Sequence, residues 1–393
     1  MLTSFCIALS LLAFQNPEDP GVYQVAVQDV NHSDSHYGRG NISARVYYPT
    51  NTNDGPFPLV AFMHGWIEPA SDYDEFCTHL ASWGYVVYSN NTETSIFGTL
   101  QAEAKDTRAG LQWVEDESQD SASWLYGMTN NQPWSAVGHS MGGAAVAYMC
   151  KIDSRVRQAV MFEPYKGSLV GNSNSAFDWF SSFSGPVLVI GGTDDLTNNW
   201  SSTVLPWYRT ADNSSRKIWA LINGGDHFGS TDANIHFLWG FGSLSGSEQQ
   251  LIHRRLATSF LQAEIRGEED LLFDLFNTIA TDFEASSSDT PLWVVLDPNN
   301  SGVIQVGSFA KPGDYMRIAG STGTGFTQSA FGDILLDMNR LRIAHANVIP
   351  QAGISSSQLP INPSFSGSTL YFQALATNSG LGSISALNEV YIP

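Results

Sequence analysis

Basic residues are scarce in this chain. Lysine and arginine together number 18 of 393 residues, against 38 aspartates and glutamates, which gives a formal net charge of -20. Such a surface repels phosphate backbones, because nucleic-acid binding depends on cationic side chains that displace counterions. Nucleic acid is therefore excluded as a partner. The 42% of hydrophobic residues and 12% of aromatic residues also exclude a wholly disordered chain.

Long hydrophobic runs are missing as well. The apolar stretch Phe5–Phe14 is too short to cross a bilayer, so we expect no integral membrane segment. Its place near the amino terminus predicts a secretory signal over residues 1–15. We therefore expect a secreted, extracellular protein.

Strand and helix patterns alternate through most of the chain. This alternation predicts a mostly parallel sheet with helices on both faces, a doubly wound α/β fold. The predicted strands are Val22–Val30, Ile42–Tyr48, Pro58–Met63, Tyr85–Ser89, Trp134–Gly138, Ala159–Phe162, Val187–Gly191 and Lys217–Ile222. The predicted helices are Asp72–Gly84, Gly98–Glu115, Gly142–Met149 and Gln249–Leu272, the last with Leu251, Ile252, Leu256, Phe260 and Leu261 as its buried stripe.

The composition changes after this region. Short alternating runs rich in Gly, Ser, Asn and Thr predict a C-terminal all-β, sandwich-like domain. The small polar segment Thr278–Thr290 before it is typical of a linker. The predicted organisation is a signal over 1–15, a catalytic domain over 16–277, a linker over 278–290 and an accessory domain over 291–393.

Cysteine is rare too, with three in the whole chain. Cys6 lies in the predicted signal. Cys77 and Cys150 lie on predicted helices that a doubly wound fold places on opposite faces of the sheet. We therefore expect two buried free thiols rather than a disulfide.

The segment Gly138-His139-Ser140-Met141-Gly142 has the form G-x-S-x-G, between a predicted strand and a predicted helix. In this context the motif predicts a strained turn that exposes the serine, with glycines where strand and helix cross. The helix N-terminus below the serine offers backbone N–H groups to a developing oxyanion. Ser140 is therefore the candidate nucleophile.

An acid and a histidine follow later strands. Asp194 and Asp195 come after Val187–Gly191, and His227 comes after Lys217–Ile222. The order Ser, Asp, His is that of α/β-hydrolases. His227 would take the serine proton, and a buried carboxylate would hold its tautomer. Both aspartates are within reach of that loop, and the G-x-x-D spacing from Gly192 favours Asp195.

Other histidines have structural interpretations. His139, beside the serine, is expected to brace the turn, and His64 is expected to hydrogen-bond the backbone of the loop after its strand. His32, Asp34 and His36 have a spacing that could bind metal, but a solvated turn is the favoured interpretation. We expect neither a metal nor an organic cofactor.

The chain from Gly21 to about Phe273 resembles bacterial cutinases and related polyester hydrolases, lipase-like enzymes that include PET hydrolases. The resemblance rests on the G-x-S-x-G segment and on Ile42–Thr50, Phe76–Ser89, Val187–Asp195 and Leu221–Gly229. It implies an α/β-hydrolase fold and a serine carboxylic ester hydrolase, with Ser140 as nucleophile, Asp195 as orienting acid and His227 as base.

The same resemblance implies further site residues. The backbone amides of Trp66 and Met141 would form the oxyanion hole, and Trp66 would also flank the acyl group. Tyr165 stands where many members have tryptophan, and Thr197 where a branched aliphatic residue is common. Phe228 is a further aromatic near the triad, and together with Trp66 and Tyr165 it favours an acyl chain or an aromatic acid.

Two departures from the family leave alternatives open. His64-Gly65-Trp66 is closer to dienelactone hydrolases or platelet-activating-factor acetylhydrolases, so a short-chain acetylhydrolase or dienelactone-hydrolase-like enzyme is one alternative. The family's C-terminal disulfide has no counterpart and the β-rich tail is extra, so activity on PET in particular is not implied. A second alternative, from another class, is a binding or surface protein whose hydrolase domain is inert and whose β domain carries the function. The expected partner is an ester, such as a lipid or polyester, and we expect a monomer.

Overall fold

The computed structural model describes residues 15–34, 36–130, 133–166, 175–232, 242–298, 300–378 and 381–393. The predicted signal and Cys6 lie outside the described residues, apart from Gln15. Among the described residues, no helix combines the length and hydropathy needed to cross a membrane.

A nine-stranded sheet forms the centre of the first two thirds of the chain, in the order β1-β2-β4-β3-β5-β6-β7-β8-β9. The inner strands from β4 to β8 pair in parallel, while β1, β2 and β9 pair antiparallel at the two ends. The strands are β1 Val25–Asp34, β2 Arg39–Pro49, β3 Leu59–Met63, β4 Val86–Asn90, β5 Trp134–His139, β6 Val156–Phe162, β7 Val187–Gly192, β8 Arg216–Ile222 and β9 Thr281–Ser287. The mostly parallel sheet confirms the predicted α/β class.

Seven α-helices are described, and α1, α2, α3 and α6 pack on this sheet. They are α1 Asp74–Ser82, α2 Leu100–Gln119, α3 Met141–Ile152, α4 Ser175–Phe180, α5 Leu205–Thr210, α6 Gly246–Leu261 and α7 Leu271–Phe276. Shorter turns of 3-10 or π type span Thr52–Asp54, Ala70–Tyr73, Trp200–Val204, Gln262–Arg266 and Pro363–Phe365.

Two hydrophobic cores lie on the two faces of the sheet. Along β3, Ala61 and Met63 belong to the core that α2 and α3 cover, whereas Val60 and Phe62 belong to the core that α1 and α6 cover. This division follows from the strand period of two, which sends successive side chains to opposite faces. Parallel strands buried on both faces need continuous apolar runs, which the sequence of β3 supplies.

The two cores also separate the cysteines. Cys77 belongs to the core under α1 and α6, and Cys150 packs against the core under α2 and α3. Both described thiols are free, with Cys77 buried and Cys150 partly buried. The expectation of free thiols on opposite faces is confirmed for these two residues, and burial raises the pKa of both.

The predicted linker is wrong over most of its length. Residues 281–287 form β9, which pairs antiparallel with β8 along the edge of the main sheet. The segment looked like a linker because its residues are small and polar, but an edge strand has one neighbour and tolerates such residues.

The predicted helix Gln249–Leu272 is wrong at its end and in one core residue. Helix α6 ends at Leu261, a π turn follows to Arg266, and Gly267 adopts a left-handed φ of 73° that a helix interior does not allow. Leu251 is 43% exposed, while Gln249 and His253 are almost fully buried. The buried face of α6 therefore includes two polar residues, which a prediction from hydrophobicity alone assigns to the surface.

The solvated-turn interpretation of His32, Asp34 and His36 is wrong for the first two. His32 lies in β1, is buried, stacks on Trp113 with ring centroids 4.5 Å apart and hydrogen-bonds the Tyr88 hydroxyl at 2.9 Å. Asp34 is buried and accepts the backbone N–H of His36. Only His36 is solvated, since about half of its side chain is exposed.

The C-terminal part is all β, as predicted. Its strands are β10 Leu292–Asp297, β11 Asn300–Phe309, β12 Tyr315–Ser321, β13 Thr324–Ser329, β14 Gly332–Leu336, β15 Arg342–Val348, β16 Ile354–Pro360, β17 Ser368–Asn378, β18 Leu381–Ile384 and β19 Asn388–Ile392. They form the sheets β10-β11-β16, β15-β12-β17-β18 with β19 also on β17, and the hairpin β13-β14. The first two sheets enclose a shared core that includes Val294, Val306, Ile318 and Phe372.

Candidate active site

Ser140 lies in the sharp turn between β5 and α3. Its φ of 54° and ψ of -113° are strained for a residue with a Cβ. The two glycines are required by close approach: a Cβ on Gly138 would lie 2.4 Å from the Gly142 carbonyl oxygen, and one on Gly142 would lie 2.1 Å from the Met63 carbonyl oxygen. The motif therefore forms the predicted strand–turn–helix, with the serine half-buried at its tip.

Three side chains from separate loops meet at this turn. The Nε2 atom of His227 lies 2.9 Å from Oγ of Ser140, and its Nδ1 atom lies 2.9 Å from Oδ2 of Asp195. His227 is 3% exposed and Asp195 is 2% exposed. Each residue follows a parallel strand at its carboxyl end, which is why residues far apart in the sequence converge at one edge of the sheet.

The structure distinguishes the two neighbouring aspartates. The second oxygen of Asp195 accepts backbone N–H groups, including that of Thr197 at 2.8 Å, which leaves Oδ2 for His227. Asp194 instead accepts the backbone N–H of Ser243 at 3.1 Å. The choice made from G-x-x-D spacing agrees with this geometry.

The surroundings of His227 are strongly acidic. Burial alone would lower the pKa of the imidazole, because it disfavours the charged form. The charge and hydrogen bond of Asp195, together with the charges of Glu163 and Glu68, outweigh this effect and raise the pKa of His227 above that of an ordinary histidine. The ring is therefore a stronger base than an isolated imidazole.

The two predicted oxyanion amides lie on adjacent segments. Met141 is the first residue of α3, and the first N–H groups of a helix have no partner within it. Gly142 lies close to the carbonyl oxygens of Met63 and His64. The N-terminus of α3 therefore packs against the loop after β3, which continues to Trp66. Trp66 itself is 44% exposed, and Met141 is buried.

His64 bonds the backbone at the end of β3, as predicted. Its Nδ1 atom lies 2.8 Å from the Gly65 carbonyl oxygen, and its Nε2 atom lies 2.7 Å from the Thr92 carbonyl oxygen. The ring therefore lies between the loop after β3 and the loop after β4, and it donates its N–H to a backbone carbonyl oxygen.

His139 braces the turn through a polar network. Its Nε2–H donates to the carbonyl oxygen of His227 at 2.8 Å, and its Nδ1 atom lies 2.7 Å from the Tyr73 hydroxyl. That hydroxyl donates to Glu68 and accepts the N–H of Gly65 at 3.0 Å. Burial raises the pKa of Glu68, but the hydrogen bond and charge of His139, with the hydrogen bond from Tyr73, outweigh it and lower that pKa. The network joins the histidine loop to the residue before Trp66.

The predicted substrate contacts lie around the same edge. The Tyr165 N–H donates to the Ser140 carbonyl oxygen at 2.9 Å, and the Phe228 ring stands perpendicular to the His227 ring with centroids 5.0 Å apart. Thr197 is exposed beside Asp195. The aromatic rings of Tyr165 and Phe228 are partly buried.

Sequence reasoning missed the buried polar residues behind the site. They are Glu68, Tyr73, Glu163, Gln249 and His253, all less than a tenth exposed. Two signals could have found some of them. Glu163 is a charged residue at the end of the apolar strand β6, and the polar residues Gln249 and His253 recur at helical spacing within an apolar stripe. Among the described residues, no group of three or more His, Cys, Asp or Glu side chains is arranged to hold a metal.

Comparison with protein families gives a match over more than half of the chain. Residues 17–242 match the family described as PET hydrolase-like. This range contains Ser140, Asp195 and His227 and ends before the C-terminal β region.

Individual relatives are more distant. The chain is 26% identical over 215 residues to a bis(hydroxyethyl) terephthalate hydrolase of Streptomyces coelicolor, covering 54% of this chain and 63% of that protein. It is 26% identical over 230 residues to Lipase 1 of a Moraxella species, covering 57% and 65%. It is 24% identical over 209 residues to Cutinase 1 of Thermobifida cellulosilytica, covering 53% and 72%. The chain thus spans somewhat less than two thirds of the length of the first two relatives.

Proposed function

Because this chain belongs to the PET hydrolase-like family, we propose that it is a serine carboxylic ester hydrolase of cutinase, lipase or polyesterase type. The observation that carries the proposal is the hydrogen-bonded series from Ser140 Oγ through His227 to Asp195, with both separations at 2.9 Å. Its chemistry is acyl transfer to a serine followed by hydrolysis.

In the first step, Ser140 Oγ attacks the ester carbonyl carbon while its proton passes to Nε2 of His227. The tetrahedral intermediate then collapses, and the imidazolium protonates the leaving alcohol as the carbon–oxygen bond breaks. In the second step, His227 removes a proton from water, which attacks the carbonyl carbon of the acyl-enzyme. The bond from this carbon to Ser140 Oγ then breaks, the imidazolium returns the proton to Oγ, and the carboxylic acid leaves. The raised pKa of His227 suits a group that must accept a proton in each half-reaction.

Asp195 orients the base. Its carboxylate lies on Nδ1 of His227, so the proton of the neutral ring sits on Nδ1 and the lone pair on Nε2 faces the serine. The same carboxylate stabilises the imidazolium that forms when the serine proton is transferred. Backbone N–H groups on its other oxygen keep the carboxylate from rotating away.

The backbone amides of Trp66 and Met141 form the oxyanion hole in this proposal. Two features support it. The first N–H groups of α3, beside Ser140, have no partner within the helix, and the contact between Gly142 and the end of β3 holds the two segments together. Donors of this kind act on the charge that develops on the carbonyl oxygen. No metal or organic cofactor takes part.

Apolar side chains at the catalytic edge support an apolar ester as substrate. Loops after β3, β4 and β7 expose Trp66, Ile67, Phe97 and Leu196, and Phe97 and Leu196 are more than 70% exposed. Exposed apolar residues that share one edge are typical of a surface that meets an apolar partner. The relatives named for cutin, lipid and terephthalate esters have carboxylic ester hydrolysis in common. We assign Trp66, Tyr165, Thr197 and Phe228 to substrate contact.

The proposal includes export and a monomeric state. Residues 1–15 would act as a secretory signal, and residues 291–393 would act as an accessory β region. Amino-terminal sequencing of the protein recovered from culture medium tests the first point, because the mature chain should begin near residue 16.

Replacing Ser140 with Ala tests the function. Hydrolysis of p-nitrophenyl butyrate should fall by several orders of magnitude, and a fluorophosphonate probe should label the wild type but not the variant. Ser135→Ala is the matched control, since Ser135 lies on β5, the strand that leads to Ser140, and bonds Gln158 away from the site; it should keep wild-type turnover. Full turnover in the Ser140 variant would refute the proposal.

A further inference from the structure

The side chain of Gln249 binds the main chain of Asp226, the residue before His227. Its side-chain oxygen accepts the N–H of Asp226 at 2.9 Å, and its side-chain nitrogen donates to the carbonyl oxygen of Asp226 at 2.7 Å. The neighbouring glycine makes room for this contact, since a Cβ on Gly229 would lie 2.0 Å from the Gln249 side-chain oxygen. Helix α6 therefore fixes the position from which the imidazole is presented.

A buried histidine and glutamate hold that helix in turn. His253 lies one turn after Gln249 on the same face of α6, and its Nδ1–H donates to the Gln249 carbonyl oxygen at 2.8 Å. Its Nε2 atom then faces both carboxylate oxygens of Glu163, at 3.2 and 3.3 Å. The two side chains are 1% and 0% exposed. A polar pair so deeply buried is retained only where its geometry is satisfied.

Glu163 is also linked, through neighbouring residues, to Asp195 and Ser140. It has an uncommon φ of 40° directly after β6, and its carbonyl oxygen accepts the side-chain N–H of Asn198 at 2.8 Å. The backbone N–H of Asn198 donates to Asp195 at 2.7 Å. The residue before Glu163, Phe162, accepts the N–H of Ser140 at 2.9 Å. One residue is thus connected to the nucleophile, the acid and, through α6, the base.

We propose that Glu163, through its pair with His253, is a positioning residue for His227, which it fixes by holding Gln249 against the main chain of Asp226. This inference rests on the proposed function, because it concerns the base of that reaction. It assigns Glu163 no contact with the substrate. A displacement of the imidazole by about 1 Å would be enough to lower the rate of proton transfer by about 100-fold.

The test compares Glu163→Leu with Glu163→Gln. Leucine removes the hydrogen bond to His253, whereas the glutamine amide can donate to the Nε2 lone pair of a neutral His253 and keep α6 in place. For p-nitrophenyl butyrate, kcat of the leucine variant should fall about 10- to 100-fold with KM within about twofold, and the glutamine variant should recover most of that loss. Gln249→Met should show the same loss of kcat with the pair intact.

The pH profile provides a second readout. The charged and titratable groups around His227 are Asp195, Glu68 and Glu163 with its partner His253, and the ring of His139 is tilted against the His227 ring with centroids 4.8 Å apart. Both Glu163 variants remove one negative charge, so the acidic limb of kcat/KM should move to lower pH in each. Nitrogen-15 NMR of the labelled histidines should show the same shift for His227 without any substrate, so the inference remains testable if the wild type hydrolyses no ester.

His79→Leu is the matched control. His79 is buried and its Nε2 atom contacts the Thr258 hydroxyl on α6 at 3.0 Å, away from the histidine loop. This variant should lose thermal stability but keep kcat and the acidic limb. The inference is overturned if Glu163→Leu keeps kcat within about twofold of wild type, if Glu163→Gln fails to recover activity, or if His79→Leu lowers kcat to the same extent.

Discussion

Asp195→Asn should invert the tautomer of His227 while leaving the fold intact. One carboxylate oxygen of Asp195 accepts the N–H groups of Thr197 and Asn198 at 2.8 and 2.7 Å. The asparagine oxygen must occupy that place, because an amide nitrogen cannot accept these bonds. The amide NH2 group then lies on Nδ1 of His227 and donates to it. The ring proton moves to Nε2, where it faces Ser140 Oγ and blocks proton transfer.

The expected loss is about 10⁴-fold in kcat, which corresponds to about 5.5 kcal/mol of transition-state stabilisation. KM for p-nitrophenyl butyrate should change little, because Asp195 is buried behind the imidazole. Initial rates normalised to the folded protein concentration give kcat, and thermal unfolding shows whether the fold persists.

Asp194→Asn is the matched control. Asp194 is the adjacent residue, yet its side chain contacts Thr193 and the Ser243 backbone rather than His227. Its variant should keep kcat within about threefold. If Asp195→Asn retained more than a tenth of wild-type kcat, or if Asp194→Asn lost activity instead, the assignment of the orienting carboxylate would be refuted.

Two further predictions concern pH and stability. For the wild type, kcat/KM should fall as pH drops through the pKa of His227, with a midpoint above 6.5 because neighbouring carboxylates favour the imidazolium; a midpoint at or below 6.5 contradicts this. Arg216→Met should lower the free energy of unfolding in urea by about 3–5 kcal/mol, because the mostly buried guanidinium binds three carboxylates, those of Glu264, Glu269 and Asp289. The exposed pair at Arg209 provides the control, and its Met variant should lose at most about 1 kcal/mol.

The central fold could be predicted because its strands are buried on both faces. Runs such as Val187–Gly192 are apolar throughout. The segment at Ser140 contains glycines and lies between a strand and a helix, so a sharp turn was the expected conformation there. The linker could not be predicted correctly. Strand β9 is polar because it lies at the sheet edge, and only its pairing with β8 distinguishes it from an irregular segment.

The site was predictable to the extent that its chemistry needs particular residue types. Ser140, Asp195 and His227 follow separate strands in an order that suits one mechanism, and the spacing favoured Asp195, the aspartate that contacts His227. Glu163, Gln249 and His253 could not be assigned in the same way. Their contacts depend on how α6 lies against β6, which is a tertiary relation that periodicity does not encode.

The β region is joined to the α/β region by packing and not only by the chain. Along β10, Leu292 and Val294 face the sandwich core, whereas Trp293 lies in the core under α1 and α6 and contacts the ring of Phe276 at 5.4 Å between centroids. A module tethered by a flexible linker would not bury a tryptophan in its neighbour. Since the carboxylate of Asp270, the residue before α7, also accepts the backbone N–H of Val294 in this strand, removing the β region would expose a face of the α/β region. Any effect of that removal on ester hydrolysis must therefore be separated from loss of stability before it is attributed to substrate binding.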